Sequence, residues 1–439
     1  MAAAAARGKR KRAPAAPEAA AHGGAWLLAL GVGLGVCAAA FPVVMTRLCN
    51  DEAVTGAFLA PLVIWAVAFL LALWWSRPSR FAGERAFVGL TFLLLGLGIV
   101  VQLRLGTWVE SWQAYRAYAP LIGGLVGFLF CLRLLSANVL AGALVRLKGV
   151  LWLAALAILA LLRLCGHAYR GGMFLPGQIN PTELVKLCLV AFTAAWLPAH
   201  AKALSRTCLG VPLPPWREGV ELAVLWGVPL AGALAVRDLG LVLILCLTLL
   251  FMLAGATRRW GWCVAAFAVA PAAGWAVSRL SAHTATRFAV WLDPFQDPTG
   301  KGWQIAQSLC AQYAGGLWGS GLGEGMPGRV PIVTSDFVYA AVAEEWGLVG
   351  CALLLALVWV WLARAFRIAA AAEEPTCRLL AFGLAVLLGV EVALNIGGVT
   401  KALPMTGIAL PLFSQGGFSL LATLLLCGLL CTCSKPRRG

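Results

Sequence analysis

Apolar runs long enough to span a membrane recur along the whole chain, separated by short polar intervals, and their spacing predicts the architecture. A helix needs about 20 apolar residues to cross a hydrocarbon layer of roughly 30 Å. Twelve stretches qualify, near residues 26–45, 54–75, 86–104, 117–136, 149–165, 182–198, 218–236, 239–256, 260–279, 336–363, 378–397 and 408–433. They lack the alternation of a membrane β-barrel, so helices must satisfy their backbone groups in lipid. The expected fold class is an all-α polytopic membrane protein with about twelve transmembrane helices. One polar interval, 280–335, is far longer than the others and opens onto the mouth of a hydrophobic helix at Thr334-Ser335-Asp336-Phe337.

That interval has internal order. Asp293-Pro294 and Asp297-Pro298 predict turns. After Trp303, apolar Ile305, Leu309, Tyr313 and Leu317 recur every four residues, which predicts an amphipathic helix lying at the membrane interface. The glycines that follow, from Gly315 to Gly328, resemble a nucleotide loop in composition only, because the Gly-Lys-Ser/Thr of a phosphate-binding loop is missing.

Composition agrees with the pattern: 61% of residues are apolar and 12% are charged. The net charge of +16 suggests a nucleic-acid partner until its distribution is considered. With a cytoplasmic N-terminus, 22 of the 34 Lys and Arg residues fall on the cytoplasmic side, which fits the positive-inside rule with both termini inside. Residues 1–25 are then a basic, disordered cytoplasmic tail beside anionic lipid, and 434–439 a short cytoplasmic tail; no nucleic-acid partner is expected. The first helix is followed by Arg47 and Cys49 without a clear small-residue cleavage site, so it is not taken as a signal peptide. The same topology puts 166–181, 236–239, 280–335 and 397–407 on the outer face, and a site there follows. The 14 cysteines show no CxxC spacing and no metal site is expected among them. Cys431-Thr432-Cys433 reads as helix packing or an inner-face acylation site, and disulfide pairing of Cys49, Cys165 and Cys310 stays open.

Ionisable groups in or near hydrocarbon are costly, so each is a candidate. Glu183 and Lys186, three residues apart after Pro181, share one helix face. They read either as a structural ion pair or as a polar cavity wall that orients a ligand phosphate. Asp238 sits in a sharp outer turn, as a helix N-cap or as a ligand or metal contact. Glu344 and Glu345 lie about 12 Å down the helix from Asp336, where a buried polar network is favoured over catalysis. Asp336 itself caps a helix, acts as a base, or does both.

The order of these motifs resembles the SEDS family (shape, elongation, division and sporulation), the FtsW, RodA and SpoVE class of peptidoglycan glycosyltransferases. The resemblance rests on Asn180-Pro181-Thr182-Glu183-x-x-Lys186, Arg237-Asp238-Leu239-Gly240, Arg287 through Leu292-Asp293-Pro294 and Asp297-Pro298 to Gln307-Ser308, and Gly315 to Gly323. Ser335-Asp336-Phe337, Ala343-Glu344-Glu345-x-Gly347, Asn395-Ile396-Gly397, Leu403-Pro404-x-Thr406-Gly407 and Pro411-Leu412-x-Ser414 complete it. It implies a ten-helix glycosyltransferase core over 86–433 with its catalytic loop at 280–335, preceded at 26–85 by two additional helices similar to those of longer, rod-type members. It further implies a multi-pass protein of the bacterial inner membrane that polymerises lipid II at the outer face, with Asp336 catalytic, beside a class B penicillin-binding protein transpeptidase. The outward cations Arg287, Arg170 and Lys186, with Glu183 and Asp238, would line the substrate site, and a divalent cation, Mg or Mn, would share the neutralisation of the diphosphate without a dedicated cage. The competing readings are a lipid II flippase and a non-catalytic scaffold of the elongation or division machinery. Arg237, Ile332, Lys401, Asn180, Gln415 and Phe418 depart from the family's usual residues, mostly at the outer face.

Overall fold

A computed structural model describes residues 18–435 except 51–53, 78–80, 82, 108–113, 170–171, 177–179, 209–210, 213, 265, 267, 269–281 and 416. Thirteen α-helices are named here among the described residues: α1 (Glu18–Cys49), α2 (Gly56–Trp75), α3 (Arg85–Arg104), α4 (Ala114–Arg133), α5 (Ala137–Cys165), α6 (Thr182–Leu204), α7 (Trp216–Ala235), α8 (Leu239–Thr257), α9 (Ala282–Leu292), α10 (Trp303–Gly315), α11 (Val338–Ala371), α12 (Pro375–Val399) and α13 (Gly417–Cys433). Nine of them are long and apolar enough to cross a membrane; α13 and the 118–133 part of α4 are shorter apolar helices. The chain is a multi-pass membrane protein. The expected span at 260–279 lies mostly outside the described residues. The only strands described form two antiparallel hairpins, β1 (His167–Tyr169) with β2 (Gly172–Phe174) and β3 (Thr207–Cys208) with β4 (Val211–Pro212).

Burial sorts the helices into centre and periphery. In α3, 83% of the apolar window is buried inside the protein, and in α6 and α12 67%, against 17% in α5. The central helices are apolar all round, whereas peripheral ones turn residues such as Leu153, Leu164 and Val139 outward to lipid. Polar pairs fix the contacts. Trp361 of α11 stacks on Phe87 of α3 at 5.9 Å and donates its indole N–H to Thr91 Oγ1.

Three boundaries differ from those the apolar pattern predicts. α5 begins at Ala137 rather than 149, because Ser136 caps it by accepting from Val139 N. The last helix begins at Gly417 rather than 408. Residues 404–415 carry no helix although 408 and 410–414 are buried, with Pro411 in the run and Leu412 at φ 66°. Their backbone is held by side chains instead of by helical bonds, and it presses on α3 at Gly98, where a Cβ would sit 2.1 Å from Leu412 O. An apolar run records burial, not conformation.

The third difference explains the glycine-rich stretch. α11 is broken at Gly347, whose φ of 65° and ψ of −171° are not helical. The break frees the carbonyls of Glu344 and Glu345 and the amides of Leu348 and Val349. The loop 316–321 satisfies all four: Ser320 N and Gly321 N donate to Glu344 O and Glu345 O, and Leu348 N and Val349 N donate to Gly316 O and Leu317 O. So close an approach requires glycine. A Cβ on Gly319 would lie 2.2 Å from Glu345 O, and Gly319 holds φ 84°. α10 packs on α11 through Ile305, Ser308, Ala311 and Gly315. The face differs from the expected four-residue stripe: Tyr313 of that stripe is 90% exposed, because small residues are what let the two helices approach.

Gly319→Ala is expected to lower stability by about 3 kcal/mol or more, from strain at positive φ plus a backbone clash. Gly328→Ala meets nothing within 4 Å and should stay within about 0.5 kcal/mol of wild type. Thermal unfolding of the two variants in detergent checks the contrast.

Candidate functional site

The irregular segment 404–415 positions the candidate carboxylate. Asp336 is the penultimate residue of a turn, 331–337, that leads into α11. Asn395 of α12 donates through Nδ2 to Asp336 O at 3.0 Å and to Ile408 O at 2.7 Å, tying the turn to the irregular segment. Gln102 of α3 does the same one turn away, donating to Thr334 O at 2.8 Å and Phe413 O at 2.7 Å. Ser414 Oγ donates to Ser335 O, and Gln415 N to Thr334 O. Three consecutive carbonyls, those of Thr334, Ser335 and Asp336, are therefore fixed by side chains from elsewhere. Gly407 stands directly against the carboxylate: a methyl group there would lie 3.6 Å from Asp336 Oδ2.

Arg287 of α9 reaches the same place from the other side. Its Nη1 donates to Met405 O and Thr406 O, both at 3.2 Å, and its charge faces Asp238 and Asp336. Burial pushes the guanidinium below its ordinary value while those two carboxylates pull it back. Trp291, one turn on, donates to Lys401 O and holds the start of the segment. Asp238 caps α8 by accepting from Leu241 N at 2.8 Å, so the N-cap reading describes a bond that is present. Its neighbour Gly240 lies close to Thr406 O.

Glu183 and Lys186 do pair, at 2.5 Å. Lys186 is 4% exposed and also bonds Glu391 of α12, so one ammonium bridges two carboxylates inside the helix bundle. The sequence reading did not single out Glu391, although a lone carboxylate inside an apolar run is itself the signal. Glu344 and Glu345 form the expected polar network. Glu345 bonds Arg104 at 2.8 Å and accepts from Gly323 N, and Glu344 Oε1 accepts from Met326 N. Arg170 lies outside the described residues. Among the described residues no group of three or more His, Cys, Asp or Glu side chains is arranged to hold a metal ion.

The fold and site define a class: a multi-pass membrane protein with a carboxylate and a guanidinium held together by irregular backbone at one end of the helix bundle. The chain belongs to the FtsW/RodA/SpoVE family of cell cycle proteins, whose model matches residues 84–439. It is 37% identical over 268 residues to the peptidoglycan glycosyltransferase RodA of Mycobacterium bovis, a match covering 60% of this chain and 57% of that protein. To the probable peptidoglycan glycosyltransferase FtsW of Geobacter sulfurreducens it is 32% identical over 394 residues, covering 86% of this chain and 95% of the relative. Among solved structures, a chain from a peptidoglycan synthase complex that coordinates polymerization and crosslinking aligns with TM-score 0.63 and 31% identity, over 80% of this chain and 97% of that one. The crystal structure of the rod shape determining protein RodA of Thermus thermophilus aligns with TM-score 0.57 and 27% identity, over 81% and 97%.

Two outcomes follow from the geometry. Asn395→Leu strands the Asp336 and Ile408 carbonyls without donors, and should cost about 2–4 kcal/mol in thermal unfolding. Desolvation raises the Asp238 carboxyl above its ordinary value, outweighing Leu241 N–H, Lys186 and Arg287, with Glu183 adding to the rise. The native state thus holds that proton more tightly than the unfolded chain, and stability falls as pH rises from about 3.9 through the native value. Asp238→Asn should flatten this part of the pH dependence of the unfolding midpoint; an unchanged slope would rule Asp238 out as its source.

Proposed function

We propose that this protein is a peptidoglycan glycosyltransferase that polymerises lipid II at the outer face of the bacterial inner membrane, with both termini cytoplasmic. The observation that carries the reading is the placement of Asp336: a carboxylate at the mouth of α11, its main chain clamped by Asn395, with the charge of Arg287, held from α9 on the carbonyls of Met405 and Thr406, facing it. The names of the relatives and the excess of basic residues on the cytoplasmic side support it.

In the reaction the GlcNAc 4-hydroxyl of one lipid II attacks the MurNAc anomeric carbon of another. The new glycosidic C–O bond forms as the bond to undecaprenyl diphosphate breaks with its electron pair. Asp336 takes the hydroxyl proton as general base, and the configuration inverts. Two of the Arg287 donor bonds go to backbone carbonyls, which fix the guanidinium so that its remaining N–H groups face the diphosphate without reorganisation. Asp238 and the Glu183–Lys186 pair act behind it, setting the charge that Arg287 meets. A divalent cation, Mg or Mn, would share the neutralisation with Arg287, as expected without a dedicated cage; no step here is routed through it, and among the described residues no group of three or more His, Cys, Asp or Glu is arranged to hold one. A class B penicillin-binding protein transpeptidase is the partner this activity calls for, since the nascent strand must be crosslinked; one of the similar structures comes from a synthase complex that couples the two steps.

The test is glycan-chain formation from purified lipid II by detergent-solubilised protein with its cognate transpeptidase, comparing wild type with Asp336→Ala and Asp336→Asn. Polymer from wild type, and a loss of at least about 100-fold in both variants at unchanged unfolding temperature, is the expected result. Polymer from all three removes Asp336 from the mechanism; polymer from none returns the choice to a flippase or a scaffold.

A further inference from the structure

A cavity of about 530 Å³, lined by none of Asp238, Arg287 and Asp336, lies where α1 and α3 end beside the loop that precedes Asp336. Its walls take Arg47 and Asn50 from the end of α1, Arg104 from the last turn of α3, and Arg329 with the backbone of the turn Pro327–Arg329. The floor is apolar, with Val43 and Val333. The volume falls in the range of small-ligand sites. No Asp or Glu among the described residues lines it; Asp51 and Glu52, next along the chain, fall outside the described residues. α1 precedes the residues matched by the family model, so one wall of this site, with Val43, Thr46, Arg47 and Asn50, is built from a segment the family core does not supply.

The three guanidinium groups differ in what they have to spare. Arg104 Nε bonds Glu345 and its Nη2 bonds Gly325 O, which fixes the side chain and leaves Nη1 outside both bonds. Arg47 lies over the Phe58 ring at 4.4 Å. Arg47 and Arg104 sit in the last turns of α1 and α3, whose C-terminal dipole ends are partly negative, so much of their charge is offset locally. Arg329 donates its backbone N–H to Met326 O, while its guanidinium is exposed and makes no ion pair or hydrogen bond among the described residues, so its charge is not cancelled by a bonded partner there. Guanidinium matches phosphate geometry through paired N–H donors. With both termini cytoplasmic, as proposed above, the ends of α1 and α3 reach the outer interface at headgroup depth, where lipid phosphates are available anions.

We propose that this cavity binds the phosphate of an anionic lipid headgroup, seated between the accessory helix α1 and the loop 325–333 that leads to Asp336. The apolar floor takes the glycerol end of the acyl chains, and Arg329 supplies the charge that selects an anionic over a zwitterionic headgroup. Occupancy joins α1 to the loop through a shared ligand.

Native mass spectrometry of the full chain in detergent, with phosphatidylglycerol or phosphatidylcholine added, tests this. Wild type should retain phosphatidylglycerol over phosphatidylcholine. Arg329→Glu should lower that retention at least about fivefold, Arg329→Lys should lower it less, and Asp336→Ala should retain lipid as wild type does. The last comparison keeps this site separate from the proposed transferase activity. Equal retention of the two lipids, or an Arg329→Glu variant that retains phosphatidylglycerol like wild type, overturns the proposal. Displacement of the lipid by millimolar inorganic phosphate or diphosphate would reassign the site to a soluble anion and overturn the lipid assignment.

Discussion

Backbone polar groups that leave the helical ladder inside a membrane protein must find partners within the protein, since lipid offers none. Among the described residues this chain leaves the ladder at two buried places, the break at Gly347 deeper in α11 and the segment 404–415, of which the second adjoins Asp336. At the first, backbone satisfies backbone: the loop 316–321 lies along the gap and completes the bonds the helix lost. At the second, side chains do the work, with Gln102, Asn395, Ser414 and Arg287 donating to carbonyls of the segment or of the turn beside it. The second repair draws α3, α9, α12 and the turn before α11 onto one point. The site is therefore a by-product of irregular backbone that had to be paired, and its rigidity has the same origin.

How much of this the sequence made legible depended on the kind of signal. The polytopic fold was legible because membrane thickness imposes a length on every apolar run, and length survives without any knowledge of contacts. Asp336 and Arg287 stood out because charged residues are scarce in this chain and both sit where polar loop meets apolar helix. The start of the last helix was not legible: Ile408 to Phe413 are as apolar as a helix, and only the donors from Gln102 and Asn395, more than ten residues away or on another helix, make their extended course possible. Glu391 escaped for a related reason. It sits alone in α12 with no charged neighbour in sequence, and its partner Lys186 is 205 positions away. The stripe of Ile305, Leu309, Tyr313 and Leu317 misled because hydrophobicity and burial part company at an interface, where an exposed Tyr faces lipid or headgroups and a buried Ser308 bonds Val399 O.

Four non-glycine residues near the outer loops hold a left-handed backbone: Arg237, Ile332, Lys401 and Leu412. Each conformation costs of order 1 kcal/mol relative to glycine, and a β-branched residue such as Ile332 tolerates it least. Three of them lie in or beside held segments: Ile332 O accepts from Ser335 N, Lys401 O from the Trp291 indole, and Leu412 precedes the carbonyl that Gln102 binds. Strain of this kind persists only where surrounding structure over-determines it. Arg237 and Lys401 also bring cations to this face that glycine or proline would not.

Charge sets the final constraint. Lys186 lies between Glu183 and Glu391, and Arg287 faces both Asp238 and Asp336, so the described carboxylates outnumber the cations that face them. In the transfer proposed above, a diphosphate would meet the negative charge of these carboxylates, and the fixed Arg287 guanidinium would share its own charge with it. What Arg287 gives the ligand it withdraws from Asp336, and a carboxylate relieved of its counter-charge is a stronger base. On that proposal the charge shared with the leaving group would also prepare Asp336 as proton acceptor, and fixing Arg287 through the carbonyls of Met405 and Thr406, rather than through a carboxylate alone, is what leaves its charge free to be shared.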